Sequence, residues 1–225
     1  MTVLPHANDS GLSLGCVEWL RLKKGYPPIN INNFPFIQAD EHPGEISTNT
    51  IKQTAEALAK GKIVLWYQGN GEIGPRALGN RSILMNPLYD KETLNKKVKK
   101  REWYRPYGAS VTKDDYNKYF DLGWDSPYML YNSIVKDPQK FTGITHIDGT
   151  CRIQTVSDQQ DHYYSLLKEF EKLTGFPILL NTSFNLQGKP IVGKLDHAKE
   201  VFASTNADML VLGNSLFSKW YCTMI

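Results

Sequence analysis

Apolar residues recur along this chain at two spacings, and the alternation of those spacings outlines the fold. In "STNTIKQTAEALAKGK" the capping residues Ser47 to Thr50 precede Ile51, Ala55 and Leu58 on one face, and Gly61 closes the segment, which predicts a helix. The apolar run "KIVLWYQ" then reads as a buried strand. "DKETLNKKVKKRE" opens on Asp90 as a cap and keeps Leu94 and Val98 on one face, so a second helix is expected there. "DHYYSLLKEFEKLTG" sets Tyr163, Leu166, Leu167, Phe170 and Leu173 at helical spacing, with Gly175 as its stop. "FPILLN" reads as a second buried strand, "DHAKEVFAST" as a short helix and "MLVLG" as a further strand. Helices alternating with apolar strands predict an α/β domain over residues 46–225.

The first 45 residues follow a different pattern. "NDSGLSLGCVEWLR" reads as a glycine turn running into a short helix, within a unit assigned to residues 1–22. "KKGYPPININNFPFIQADEHPGE", residues 23–45, is rich in Pro, Asn and Gly without helical period and reads as a linker.

Composition narrows the class. With 225 residues, 41% apolar and 22% charged, the chain has the make-up of an ordinary globular protein. A net charge of +3 is too small for general nucleic-acid binding, yet it allows a local basic pocket for small anions. Cys16, Cys151 and Cys222 are scattered and form no C-x-x-C, so neither a disulfide framework nor a cysteine metal site is indicated, and a reduced, cytoplasmic setting is expected. The N-terminus has no signal-peptide pattern, and no apolar run approaches the ~20 residues of a membrane span.

Candidate chemistry concentrates where predicted elements end. "GNGEIGPRALGNRSIL", residues 69–84, places Arg76 and Arg81 among four glycines directly after a strand. Glycines let the backbone approach a ligand, and guanidinium forks suit phosphate or carboxylate. The stretch matches neither the phosphate-loop nor the dinucleotide pattern. Its alternative reading is a turn with two surface arginines. In "KKVKKREWYRP", Lys96 and Lys97 read as a solvated face, while Lys99, Arg101 and Arg105 stand where the helix ends before Pro106. In "HIDGTCRIQTV", with His146 and Asp148, alternation puts Arg152 and Gln154 on the face opposite Cys151 and Ile153, either toward solvent or on a pocket wall. "NTSFN" carries Asn181, Ser183 and Asn185 past the carboxyl end of a strand, where open α/β sheets bind ligands. "HANDSG" holds His6 and Asp9, too few ligands for a metal site. A ligand on which these cations converge is strongly anionic, and the lack of a nucleophile–base pair or a His/Glu metal cluster favours phosphoryl chemistry.

Four stretches, "GEIGPRALGNRSIL", "NKKVKKREWYRPYGASV", "THIDGTCRIQTV" and "GFPILLNTSFNLQGKPIV", closely resemble the C-terminal domain of the O-carbamoyltransferases that modify nodulation factors and antibiotics. The likeness runs through most of residues 46–225 in the family's order. It implies the YrdC-like fold of the threonylcarbamoyl-AMP synthases, a twisted mixed sheet with flanking helices and a basic concave pocket. The hallmark of that wider fold, Lys-x-Arg followed far downstream by Ser-x-Asn, corresponds to Lys99–Lys100–Arg101 and Ser183–Phe184–Asn185.

The resemblance implies formation of carbamoyl-adenylate from carbamoyl phosphate and ATP, with Mg²⁺ on the triphosphate. A second, actin-like ATPase domain then carries the carbamoyl group to a hydroxyl acceptor. By that likeness Arg76, Lys99, Arg105, Arg152 and Ser183 belong to the pocket, Arg101 and Asn185 follow from the hallmark, and Arg81 joins them as a candidate. Lys99, Arg101 and Ser183 are assigned to catalysis and the others to substrate and nucleotide binding. "PHANDSGLSLGC" resembles the end of the actin-like domain, with Asp9 as a metal ligand and iron at a site shared with that domain. The family's paired metal-binding histidines have no counterpart here, which implies a separate chain carrying the actin-like domain or a longer gene. Two alternatives are a stand-alone threonylcarbamoyl-AMP synthase and a non-catalytic nucleotide-binding remnant.

Overall fold

A computed structural model describes residues 7, 11–29, 34–37 and 41–219, so His6, Asp9 and Cys222 lie outside the described residues. One nine-stranded sheet dominates, with strand order β4-β5-β6-β3-β7-β2-β1-β8-β9. Its strands are β1 (Val64–Tyr67), β2 (Arg81–Met85), β3 (Gly108–Thr112), β4 (Phe120–Asp121), β5 (Tyr131–Val135), β6 (Thr150–Val156), β7 (Ile178–Ser183), β8 (Met209–Leu212) and β9 (Ser215–Ser218). Pairing is parallel for β1 with β8 and β3 with β6, and antiparallel for the other neighbours.

The helices are α1 (Leu12–Lys23), α2 (Thr48–Ala59), α3 (Lys91–Leu94), α4 (Tyr116–Tyr119), α5 (Asp161–Thr174) and α6 (Leu195–Ser204). α2 and α5 lie against each other; α2 also meets β1, α5 meets β3 and β7, and α6 covers β1 and β8. α2 begins where expected, because the Ser47 hydroxyl accepts the Thr50 N–H at 3.2 Å. α5 ends at Gly175, whose φ of 83° is open to glycine at little cost. β1, β2 and β3 are buried at every position, so they show no alternation.

The helix predicted over residues 90–102 takes another form. The Asp90 carboxylate caps α3 through the Glu92 N–H at 2.9 Å. After four residues the chain widens into a π turn, Asn95–Lys99, and stops at Lys100, which is left-handed at φ 46° and ψ 47°. The Lys100 N–H reaches back five residues to the Asn95 carbonyl at 2.7 Å.

The N-terminal part also has structure of its own. α1 buries none of its residues. The predicted linker is pinned to the sheet domain at several points: the Ile73 N–H donates to the Pro35 carbonyl at 2.9 Å, the Tyr67 hydroxyl donates to the Glu41 carbonyl at 2.8 Å, and the Leu195 N–H donates to the Glu41 carboxylate at 2.8 Å. Among the described residues no helix is long and apolar enough to cross a membrane.

Candidate anion-binding site

The glycine loop between β1 and β2 is organised by a residue that the charge pattern passes over. Glu72 is buried, and its Oε1 accepts the backbone N–H groups of Leu78, Asn80 and Arg81 at 2.7, 2.9 and 3.2 Å. Burial pushes its pKa up against those three bonds. Other side chains hold the same loop by its carbonyls: Trp66 Nε1 at Gly79 O, Gln154 and Gln160 both at Leu78 O, and Asn181 Nδ2 at Ala77 O. Gly79, at φ 106°, lies so close to Tyr163 that a Cβ there would meet its ring at 2.2 Å.

Arg81 is part of this framework. It is the first residue of β2 and buried, with its Nη1 on the Gln68 and Asn80 carbonyls at 2.6 and 3.2 Å and its Nη2 on the Gly69 carbonyl at 3.0 Å. Its guanidinium also stacks on the Tyr67 ring at 3.5 Å. Expected as an anion ligand, it spends these donors on loop carbonyls, although the residue still edges the cavity described next.

Beyond β7 the chain turns so that the Ser183 hydroxyl donates to Asn185 Oδ1 at 2.7 Å. Asn185 Nδ2 donates to the Lys189 carbonyl at 2.6 Å, which fixes which end of the amide faces Ser183. Lys99, carried in by the π turn and itself buried, places Nζ 2.8 Å from the Ser183 carbonyl and 2.8 Å from Asn185 Oδ1, with the Asn185 carbonyl at 3.0 Å and Ser183 Oγ at 3.5 Å. Lys99 of the Lys-x-Arg stretch and Ser183 of the Ser-x-Asn stretch, 84 residues apart in the chain, therefore meet directly. The Ser183 hydroxyl directs its proton to Asn185 Oδ1, with Lys99 Nζ 3.5 Å from its oxygen. A cavity of about 360 Å³ opens here, lined by Gly71, Glu72, Gly74, Arg81, Ser183, Asn185 and Lys189 among others.

Positive charge extends outward from Lys99. Burial, then Arg101 and Arg105, pull the Lys99 pKa down to about 7. Burial lowers that of Arg101, and Arg105 adds to the effect. Arg152 is brought down to about 10, by burial first and then by Arg76 and Arg101. Arg101 thus lies within electrostatic reach of both Lys99 and Arg152. Arg105 is exposed and pairs with Glu102 at 3.5 Å. Among the described residues Arg76, Arg101 and Arg152 make no salt bridge, and the Nε of each is buried without a hydrogen-bond partner. Lys99, Arg76, Arg101, Arg105 and Arg152, expected to converge on one cavity, are not among the residues that line it. Gln154, paired with Ser110 at 2.8 Å, is fully buried and Arg152 half-buried, so this face of β6 is a wall of the protein and not a solvent face.

Other candidates are structural in what they touch. His146 donates Nε2–H to the Tyr107 carbonyl at 3.0 Å, and Asp148 accepts from the Thr150 N–H and hydroxyl at 3.0 and 2.8 Å. Among the described residues no group of three His, Cys, Asp or Glu is arranged for a metal ion. A second cavity, of about 550 Å³, lies beside Asn70, Asn80, Tyr128 and His162 and has no Lys or Arg in its lining.

Comparison with known proteins shows the family and the fold. Residues 55–219 match the family described as "Carbamoyltransferase C-terminus". The nodulation protein NolNO of Sinorhizobium fredii is 43% identical over 175 residues, which is 74% of this chain and 26% of that protein. The 3'-hydroxymethylcephem-O-carbamoyltransferase of Amycolatopsis lactamdurans is 32% identical over 229 residues, covering 97% of this chain and 43% of that enzyme. The chain thus spans less than half the length of these relatives. Among solved structures, full-length HypF in its phosphate- and nucleotide-bound form superposes with a TM-score of 0.52 at 22% identity, over 73% of this chain and 25% of that one. The twisted α/β sheet with flanking helices is thereby the YrdC-like fold expected from the motifs.

Proposed function

Taking as premise that the chain belongs to the carbamoyltransferase C-terminal family, we propose that it forms carbamoyl-adenylate from carbamoyl phosphate and ATP, for transfer to a hydroxyl acceptor. The observation that carries this reading is the Lys99 ammonium seated on Ser183 and Asn185, within electrostatic reach of Arg101, which makes no salt bridge among the described residues. A protein bears the cost of unpaired, half-buried cations where an anion compensates them. The solved HypF structure is described as phosphate- and nucleotide-bound, which fits such a pocket.

The reaction has two steps. Water converts carbamoyl phosphate to carbamate and phosphate. A carbamate oxygen then bonds to the α-phosphorus of ATP, the bond from that phosphorus to the bridging oxygen breaks, and pyrophosphate leaves. Charge accumulates on the phosphoryl oxygens and on the leaving group, so fixed cations that need no reorganisation supply the catalysis. Lys99 and Arg101 are assigned to the reacting phosphoryl group, with Ser183 Oγ as a further ligand. Arg76, Arg105 and Arg152 hold the remaining phosphates, Asn185 keeps Ser183 and Lys99 in place, and Arg81 rigidifies the loop at the cavity's edge. Mg²⁺ arrives with the triphosphate as part of the substrate, and no step is assigned to it. Iron would belong with Asp9, to a site completed by an actin-like domain on another polypeptide or another part of the gene product.

Pyrophosphate release tests the proposal. It should depend on carbamoyl phosphate and fall at least 100-fold in Lys99→Ala, with the fold retained by circular dichroism. Release that requires bicarbonate and threonine instead would make the chain a threonylcarbamoyl-AMP synthase. No release with either pair, under conditions where the chain is folded, would leave a nucleotide-binding remnant.

A further inference from the structure

Arg101 rests on a side chain that is itself held from below. Its Cζ lies 3.9 Å from the centre of the Tyr107 ring, and its Nη2 donates to the Pro106 carbonyl at 3.0 Å. Tyr107 is buried, and its hydroxyl donates to Asn95 Oδ1 at 2.5 Å. Asn95 is buried too, its Nδ2 donating to Glu92 Oε1 at 3.3 Å. Asn95 also opens the π turn that ends at Lys99, and its carbonyl takes the Lys100 N–H that closes the turn. The backbone of Tyr107 is fixed as well, by the His146 Nε2–H on its carbonyl at 3.0 Å.

We infer that Tyr107 and Asn95 are positioning residues that lock the Arg101 guanidinium at a set orientation to Lys99, an inference that rests on the anion-site reading above. On a regular α-helix, residues 99 and 101 would point about 200° apart. The π turn and the left-handed Lys100 depart from that geometry, at a backbone cost of about 1 kcal/mol for the non-glycine αL residue, and leave Arg101 within electrostatic reach of Lys99. Such a turn leaves Arg101 on an irregular segment, where a long side chain keeps its rotamer freedom unless something removes it. The Tyr107 ring supplies a flat face for the guanidinium, and the hydroxyl bond to Asn95 stops the ring from shifting. Because Asn95 and Lys99 bound one turn, the same bond ties the position of Arg101 to that of Lys99. Burial raises the Tyr107 pKa to about 12, so the hydroxyl keeps the proton it donates. Nothing in the sequence marks this role: Tyr107 follows a proline in an aromatic-rich run, and Asn95 stands in a lysine-rich one.

The test is a double-mutant cycle read by ATP affinity in titration calorimetry, using the full chain. Tyr107→Phe keeps the ring and removes the hydroxyl, and it should weaken ATP binding roughly 3- to 10-fold. Asn95→Ala should weaken it in the same direction, and the double variant should be no weaker than the poorer single one. In an Arg101→Met background Tyr107→Phe should change nothing further, because the residue it positions is gone. An equal loss in both backgrounds would mean that Tyr107 only supports the fold and would overturn the inference. So would a Tyr107→Phe variant that binds ATP as the wild type does while Arg101→Met binds it less tightly. Wild type and Arg101→Met binding ATP equally would instead overturn the anion-site reading, and this inference with it.

Discussion

Four oxygens lie 2.8 to 3.5 Å from Lys99 Nζ, and they oppose the burial and the arginines that draw its pKa down to about 7. The sign of the pH effect follows. Below about 7 the amine is protonated in folded and unfolded chains alike. Between that pH and its ordinary value of 10.5 the unfolded chain binds the extra proton, so stability rises with pH across this window. Anion affinity moves the other way, since deprotonation removes a cation. Pyrophosphate affinity measured from pH 6 to 9 should therefore weaken as pH rises through about 7, and Lys99→Met should lose that step. Arg152 offers a complementary test. Its Nε is buried without a partner, and Arg76 and Arg101 both repel it. Arg152→Gln should leave the unliganded protein as stable as before or more so, while weakening ATP binding roughly 10- to 100-fold, the effect of one or two charge-assisted hydrogen bonds. A melting scan with and without ATP measures both. A large drop in the unliganded melting temperature would show that Arg152 is structural.

The loop joining β1 to β2 depends on the Glu72 carboxylate, which accepts three of its backbone N–H groups. Glu72→Ala would orphan three buried backbone N–H groups at about 1–3 kcal/mol each. That change should destabilise the fold by about 3 kcal/mol or more in denaturant melts. Glu72→Gln keeps an acceptor at Oε1 and avoids burying a charge, so it should stay close to wild type; equal losses in both variants would deny the carboxylate oxygen this role. The sequence could not disclose Glu72, because a carboxylate among glycines reads as a solvated turn until its three donors are seen. The Arg81 framework role is hidden for the matching reason: residue type says what a guanidinium can bind, not that loop carbonyls already take several of its donors. Periodicity did mark α2, α5 and α6, where one face is buried and the other wet. It also marked the apolar runs of β1, β7 and β8. It passed over β2 and β3, buried on both faces and carrying Arg81, Ser82, Ser110 and Thr112 inside, and it read the π turn as a regular helix. The meeting of Lys99 with Ser183 and Asn185 was anticipated from the motif resemblance, not from spacing, since nothing local links positions 84 residues apart.

Taken as a whole, the described residues combine the cationic cluster around Lys99 with a helix, α1, that buries none of its side chains. Leu12, Val17, Trp19, Leu20 and Leu22 of α1 are all exposed, and no residue of that helix is buried. Apolar side chains gathered on one short helix and left in water usually meet another surface. The relatives are more than twice as long as this chain, so they possess polypeptide that could provide that surface. On the proposed function an acceptor hydroxyl also needs a place to bind, and the adenylate would be hydrolysed if released into water between steps. Residues 1–225 should therefore form carbamoyl-adenylate but carbamoylate an acceptor only when a polypeptide carrying the actin-like transfer domain is added. Trp19→Asp should weaken the association of the two at least tenfold while leaving adenylate formation unchanged, which separates docking from chemistry. Mass spectrometry of the acceptor and sedimentation of the mixture check the two halves of the claim. If residues 1–225 alone carbamoylate an acceptor at a rate that the added domain does not improve, the divided-labour reading is wrong. If the mixture transfers the group but Trp19→Asp associates as tightly as wild type, α1 is not the surface through which the two meet.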